Sequence, residues 1–142
     1  MVVIAMPEEA ALVRGNGNHE PLVTGVGGLN VYEALRDFPR DMPIHNVGYA
    51  GSNCIPAGTR CRVGTVRAYH PQASFLEPEY QLDGDTLCFT AGDFVTSTDI
   101  KEPCVFDMEL AYILAMGFTN VTAEKVVSDN LSATEFENFV RG

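Results

Sequence analysis

Short apolar segments alternate with amphipathic segments along the whole chain, and several apolar segments run directly into glycine or aspartate. The apolar and β-branched segments predict strands at 2–6, 21–28, 44–51, 61–69 and 119–129. Segment 80–94, with an Asp-Gly turn, predicts a hairpin or two short strands. Helices are predicted after Pro7, at 29–38, and at 132–140, where Ser132 and Glu135 form a capping box. This order is typical of a three-layer α/β/α fold around a central mixed β-sheet.

The chain is predicted to form a single domain over residues 1–142. Its length and its 46% hydrophobic content are sufficient for one buried core and argue against disorder. We find no internal repeat, low-complexity tract or linker composition that would mark a domain boundary.

Composition excludes several classes of partner. Nine basic and nineteen acidic residues give a net charge of −10, which repels nucleic acid and anionic membrane surfaces. No apolar run approaches the roughly 20 residues of a membrane span. The N-terminus lacks the basic leader and apolar length of a signal peptide, so we expect a cytoplasmic protein.

Cysteine and histidine usage indicates neither disulfides nor a metal. The four cysteines form no CxxC pair and are interpreted as reduced thiols, acting mostly as small buried hydrophobes. The three histidines have no metal-ligand spacing, so no metal site is predicted. We also expect no cofactor.

The segment VFDMELAYILAM (105–116) places two carboxylates in an apolar run. Apolar residues at spacings of three and four predict a helix that includes Phe106 and Ile113. Asp107 suits a helix N-cap or a first-turn charge. Glu109 borders the buried stripe, and from these residues alone it is either a first-turn charge on the helix dipole or a functional group.

Carboxylates and glycines follow four of the predicted strands. They are Glu8 and Glu9, the turn 25–28, the group Gly48, Tyr49 and Gly51, and the pair Ser128 and Asp129. If the sheet is parallel there, these groups share the edge at which α/β sheets bind ligands. Several carboxylates around one cleft suit acid/base chemistry on a neutral ligand. The turn GVGG lacks the full G-x-G-x-x-G fingerprint and is equally compatible with a structural turn.

Six segments, in order, carry a resemblance that covers residues 5–130: AMPEEAAL, VTGVGGLN, NVGYAGS, TAGDFVTS, FDMELAY and VVSDN. Together they resemble the nucleoside phosphorylase/nucleosidase superfamily, and within it most closely the 5′-methylthioadenosine/S-adenosylhomocysteine nucleosidases. The chain resembles a shortened form of that family, in which a hairpin after the first helix is missing and the last helix ends near Gly142.

The resemblance implies hydrolysis of a purine nucleoside by water attack at C1′ of the ribosyl group. Glu9 would hold and deprotonate the water. Asp129 would protonate N7 of the leaving purine, and Glu109 would accept hydrogen bonds from the ribose hydroxyls. This chemistry needs an acid in a partly apolar site and a nucleophile held near the anomeric carbon.

The same resemblance implies further substrate contacts. Met108 would pack on the sugar, and Phe94 would stack on the purine beside backbone groups that read its edge. Tyr49 stands where the family has serine near the sugar, and Lys125 stands where it has arginine near the water. The remaining implied binding residues are Val26 and Gly27 of the glycine turn, Val95, and Ser128.

Several functional alternatives stay open. The phosphorylase branch has a Gly-Asp-Pro loop with arginines, whereas this chain has MPEEAA, and the acid at Glu9 would repel phosphate. Hydrolysis is therefore favoured over phosphorolysis. Another ribosyl substrate, such as a futalosine-type nucleoside, and a non-catalytic nucleoside-binding protein are the other possibilities. The resemblance also implies a homodimer or larger homo-oligomer, in which the partner completes the 5′ end of the pocket.

Overall fold

The computed structural model describes residues 1–13, 20–69 and 79–142. The predicted loop at 15–20 lies outside these ranges apart from Glu20. Within them, no helix has the length and apolar character that crossing a membrane would require.

The described residues form eight strands, three α-helices and one 3-10 helix. The strands are β1 Val2–Ile4, β2 Leu22–Val23, β3 Ile44–Ser52, β4 Arg60–Ala68, β5 Tyr80–Gln81, β6 Thr86–Thr90, β7 Cys104–Asp107 and β8 Val121–Asp129. The 3-10 helix is Pro7–Leu12, and the α-helices are α1 Gly28–Leu35, α2 Leu110–Ala115 and α3 Ala133–Arg141.

The strands form one mixed sheet, which confirms the predicted fold class. Strand β1 pairs in parallel with β2 and β3, and β3 pairs in parallel with β8. Antiparallel pairs join β3 to β7 and β4 to β8, while β6 pairs in parallel with both β4 and β7. Strands β3, β7, β6, β4 and β8 therefore close into a ring, which the sequence did not predict.

The pairing of β3 with β8 contains an irregularity beside the end of both strands. Ala50 lies opposite Val127, whereas Gly51 lies opposite Asp129. Ser128 is thus an extra residue on β8, a bulge in a parallel pair, where bulges are rare. Bulges re-aim the side chains that follow them, and here the next residue is Asp129.

The hydrophobic core joins the sheet to α1 and α2. Val31 and Leu35 of α1 and Leu110 and Ile113 of α2 are fully buried among β-branched residues of the strands. Helix α3 differs, because none of its residues is buried. Its Ser132 cap accepts a hydrogen bond from the backbone N–H of Glu135, as predicted. The predicted capping box is not completed, because the carboxylate of Glu135 accepts the N–H of Asn130 and the N–H of Ser132 donates to Asp129.

One local prediction was wrong, and one was resolved between its two alternatives. Segment 105–116 is not one helix, since β7 ends at Asp107 and α2 begins only at Leu110. Pairing of β7 with two neighbouring strands outweighs the helical periodicity of its side chains. For segment 80–94, the second of the two predicted alternatives is found: β5 and β6 are two short strands that each pair with β4 and not with one another, so they do not form a hairpin.

Candidate active site

A cavity of about 230 Å³ lies where β1, β3, β7 and β8 end. Acidic, aromatic and small apolar side chains share its wall. The lining residues are Ala5, Met6, Glu9, Val26, Tyr49, Ala50, Gly51, Asp93, Phe94, Val95, Phe106, Asp107, Met108, Glu109, Ser128, Asp129 and Phe136.

Glu9 is held rigidly by the backbone around it. The 3-10 helix that follows β1 turns its side chain back, and Oε1 accepts hydrogen bonds from the N–H groups of Ala5 at 2.8 Å and Met6 at 2.9 Å. Its Oε2 accepts a hydrogen bond from the N–H of Tyr49 on β3 at 2.7 Å. Glu9 is only 3% exposed, and the three backbone hydrogen bonds give its buried carboxylate a well-defined position.

Asp129 is fully buried at the end of β8. The hydroxyl of Ser128 donates to its Oδ1 at 2.6 Å. The N–H groups of Leu131 and Ser132 donate to Oδ2 at 3.1 and 3.2 Å. Leu131 has a φ of 64°, a left-handed conformation that the short turn into α3 requires. The carboxylate therefore holds the connection between β8 and α3.

Glu109 occupies the N-cap position of α2, and its Oε2 accepts a hydrogen bond from the N–H of Gly27 at 2.8 Å. Gly27 has a φ of 91°, and this conformation places its N–H toward the carboxylate at the start of α1. Burial, followed by the charge of Asp107, raises the pKa of Glu109 to about 7. The group can therefore exchange a proton near neutral pH.

Asp107, in the cavity wall, forms a buried ion pair with Lys125 behind it, with an Nζ–Oδ2 distance of 3.0 Å. Lys125 also donates to Oδ1 of Asn46 at 2.8 Å. Burial acts to raise the pKa of Asp107, but the charge of Lys125 and the hydrogen bond from Thr90 outweigh it, so the pKa is lowered. For Lys125, burial acts to lower the pKa, while Asp107 and other neighbouring charges raise it above its usual value.

Aromatic rings also line the cavity, and two of them pack on α3. Phe94 packs edge-to-face on Phe136 of α3, with ring centroids 5.8 Å apart. Tyr49 packs edge-to-face on Phe139, also of α3, at 6.1 Å. Helix α3 thus adds Phe136 to the cavity wall and supports Tyr49 through Phe139.

The structure brings most of the predicted site residues together. Those that line the cavity are Glu9, Val26, Tyr49, Phe94, Val95, Met108, Glu109, Ser128 and Asp129. Gly27 contacts the site through its hydrogen bond to Glu109. Lys125 does not line the cavity, because Asp107 and Asn46 hold its ammonium group behind the wall.

Sequence reasoning missed Met6, Phe106 and Phe136 as cavity residues. The amphipathic pattern of α3 was the available signal for Phe136, since the apolar face of a helix needs an apolar surface to pack against. Asp107 was interpreted only as a capping group. It does accept hydrogen bonds from the first N–H groups of α2, and it also lines the cavity.

Nothing in the described wall of the cavity resembles a metal centre. Within residues 1–13, 20–69 and 79–142, no three His, Cys, Asp or Glu side chains converge as a ligand set. The four cysteines, which all lie in these ranges, are free thiols.

Comparison with protein-family models and with curated proteins found no match. Solved structures do match. A 5′-methylthioadenosine/S-adenosylhomocysteine nucleosidase of S. pneumoniae with a transition-state inhibitor is 19% identical, with a TM-score of 0.76 over 98% of this chain and 90% of that one. This chain has the nucleoside phosphorylase/nucleosidase fold.

Two further structures show the same nucleosidase fold. A Chlamydia trachomatis nucleosidase variant bound to methylthioadenosine is 18% identical, with a TM-score of 0.77, over 99% of this chain and 86% of that one. The futalosine hydrolase of Helicobacter pylori is 14% identical, with a TM-score of 0.73, over 98% and 89%. At these identities the likeness concerns the fold, and the activity is argued from the site.

Proposed function

We propose that this protein is a purine nucleoside N-ribohydrolase that cleaves the N-glycosidic bond of an adenosine-type nucleoside. One observation carries the proposal: Glu9, Glu109 and Asp129 come from three distant parts of the chain and line the same cavity. Each was assigned a separate role on sequence resemblance, and those roles require the three groups to face one ligand.

Glu9 would activate the attacking water. The N–H groups of Ala5, Met6 and Tyr49 keep its carboxylate in place, so it can hold a water against C1′ of the sugar. As the water oxygen bonds to C1′, Glu9 takes one of its protons. General base catalysis of this kind typically increases the reaction rate by roughly 10²–10⁴-fold.

Asp129 would assist the leaving group. As the bond between C1′ and N9 breaks, the electron pair passes to the purine, and a proton delivered by Asp129 to N7 lets the base leave neutral. Phe94 would stack on the purine, with its ring supported by the edge-to-face contact with Phe136. The products are the free base and the free ribosyl sugar.

Glu109 would bind the ribose. Its Oε2 accepts a single described hydrogen bond, from Gly27, which leaves acceptor capacity for the sugar hydroxyls. Met108 lies beside it in the cavity wall and would pack on the sugar ring. A ribose diol would compensate the cost of burying this carboxylate.

Hydrolysis fits the charge of the site better than phosphorolysis. Among the described residues that line the cavity, none is Arg, Lys or His, and five are acidic. A phosphate ion would meet repulsion there. The likeness in fold to futalosine hydrolase supports a second candidate substrate, a futalosine-type nucleoside. Such a substrate would differ from an adenosine-type nucleoside in its attached groups, and the bond cleaved would again be the N-glycosidic bond.

The test is purine release from methylthioadenosine, adenosine, inosine and S-adenosylhomocysteine, measured by chromatography with and without phosphate. We expect phosphate-independent release of base and free sugar, and its loss in Glu9→Gln. Release only with phosphate would identify a phosphorylase. Ligand binding without release, unchanged by Glu9→Gln, would identify a nucleoside-binding protein.

We also propose that the protein is a homodimer. An apolar patch on α1 and α2, formed by Val26, Leu29, Tyr32 and Tyr112, remains 39–75% exposed. Val26 belongs both to this patch and to the cavity wall, so a second copy seated on the patch would border the site. The free thiols fit a cytoplasmic location for such a dimer.

A further inference from the structure

Two glycines of β3 lie against the two carboxylates that are proposed to perform the reaction. A methyl group on Gly48 would lie 2.7 Å from Oε2 of Glu9. A methyl group on Gly51 would lie 3.0 Å from Oδ2 of Asp129. Neither glycine has a positive φ, so space rather than backbone conformation explains why a side chain is absent.

We infer that Gly48 and Gly51 are positioning residues, each leaving a space on β3 into which one reacting carboxylate fits. The inference rests on the proposed function. It extends that function from the carboxylates to the strand that orients them. Two residues, Tyr49 and Ala50, lie between the two glycines, and one strand would therefore set the spacing between the proton acceptor Glu9 and the proton donor Asp129.

Glu9 cannot move aside at low cost. The methyl group of an alanine at position 48 would lie too close to Oε2, the atom that accepts the N–H of Tyr49. Oε1 is held by two other backbone groups, so rotation of the carboxylate would break hydrogen bonds in a buried site. Lys125 blocks a second direction, because its Nζ would lie 3.4 Å from the same methyl group.

The environment of Asp129 is similar. The bulge at Ser128 brings Asp129 opposite Gly51, and Ser128 itself fixes Oδ1 with its hydroxyl. A methyl group on Gly51 would also lie 3.3 Å from Cδ2 of Leu131, on the connection that the carboxylate holds. The contact is milder than at Gly48, so a smaller displacement is expected.

The test compares Gly48→Ala and Gly51→Ala with the control Gly92→Ala, whose methyl group would meet no atom closer than 3.9 Å. We expect kcat for phosphate-independent purine release to fall about 100-fold in Gly48→Ala and about 10-fold in Gly51→Ala, because displacing a reacting group by 1 Å can cost about 10² in rate. KM should change less than about threefold, since Glu109 and Phe94 still bind the nucleoside. The control should keep the wild-type kcat.

A second measurement separates positioning from general damage to the fold. Glu9→Asp shortens the side chain and withdraws the carboxylate from the added methyl group. Its cost in kcat should therefore be smaller in the Gly48→Ala background than in the wild type. Additive costs, or an unchanged kcat in both glycine variants, would overturn the inference.

The stability cycle between Gly48→Ala and Glu9→Ala, measured by urea unfolding, needs no substrate. The destabilisation caused by Gly48→Ala should largely disappear when Glu9 is already truncated. If the wild type releases no base from any nucleoside, the proposed function fails. The stability cycle alone then tests whether the Glu9 carboxylate occupies the space that Gly48 leaves on β3. Coupling would then support the placement of Glu9 by Gly48, and its absence would overturn it.

Discussion

Glu109 is a buried carboxylate with one donor, the N–H of Gly27, in the described part of the chain. Its pKa, raised to about 7 by burial and by Asp107, means that the folded state favours its neutral form. Between its unfolded pKa and about 7, the folded protein binds more protons than the unfolded chain, so stability falls as pH rises through this window. Keeping a carboxylate at this buried position for ribose binding is thus expected to lower the free energy of unfolding.

Glu109→Gln should therefore be more stable than the wild type at pH 8, by on the order of 1 kcal/mol. The neutral amide can still accept the N–H of Gly27 but carries no charge to bury. Urea unfolding at pH 5.5 and pH 8 measures the difference, which should shrink at the lower pH. A variant less stable than the wild type at pH 8 would mean that the charged form is well solvated in the fold.

Asp129→Asn should lower kcat by about two or more orders of magnitude, because the amide cannot deliver a proton to N7 of the purine. The amide oxygen can still accept one of the hydrogen bonds that hold the start of α3, so substrate KM should change much less. Steady-state purine release measures both constants. Turnover near the wild-type rate would remove Asp129 from the mechanism.

At the scale of elements, the pair of Lys125 and Asp107 joins β8 to β7, two strands that are not neighbours in the sheet. Asp107 also accepts hydrogen bonds from the N–H groups of Glu109 and Leu110, so the pair orders the start of α2 as well. Breaking a buried pair leaves an unpaired charge in the interior, which is strongly destabilising.

Lys125→Met should lower the unfolding free energy by about 3–5 kcal/mol. Arg62→Met is the matched control, because it removes a cation from the exposed partner Asp83, and its effect should be several-fold smaller. Urea unfolding of both variants provides the comparison. Equal losses would show that Lys125 contributes no more than a surface charge.

The elements also show where local pattern is informative. The strand at 44–51 was predicted almost to the residue, since its apolar and glycine-rich composition matches burial on both faces. The helix over 105–116 was half wrong, because the apolar spacing of Phe106, Leu110 and Ile113 fits a helix, yet the first part of the segment pairs with two strands. Strand pairing is a long-range contact that periodicity does not contain.

At the scale of the whole molecule, the exposed patch on α1 and α2 is the feature that argues for assembly. Leu29 and Tyr32 lie one turn apart on α1, and the ring of Tyr112 lies against Gly28 between the helices. Patches of contiguous apolar surface mark interaction sites in soluble proteins.

The double variant Leu29→Lys and Tyr32→Lys should sediment as a monomer, whereas the wild type should sediment as a dimer, because two buried lysines per subunit would oppose association. Glu102→Lys, an exposed charge change in the segment before β7 and away from α1 and α2, is the control and should remain dimeric. Analytical ultracentrifugation distinguishes these states. A monomeric wild type would show that the patch has another role.

The sequence by itself determined the mixed α/β class, most of the strands, and the carboxylates and glycines at their ends, because these depend on local composition and on motif order. Only the tertiary structure decided that five strands close into a ring, that Lys125 turns away from the cavity to pair with Asp107, and that Phe136 of α3 forms part of the wall. Each of these features depends on contacts between residues distant in the chain. Strand pairing, charge compensation and apolar burial compete in such contacts, and a local sequence pattern does not show which of them is strongest.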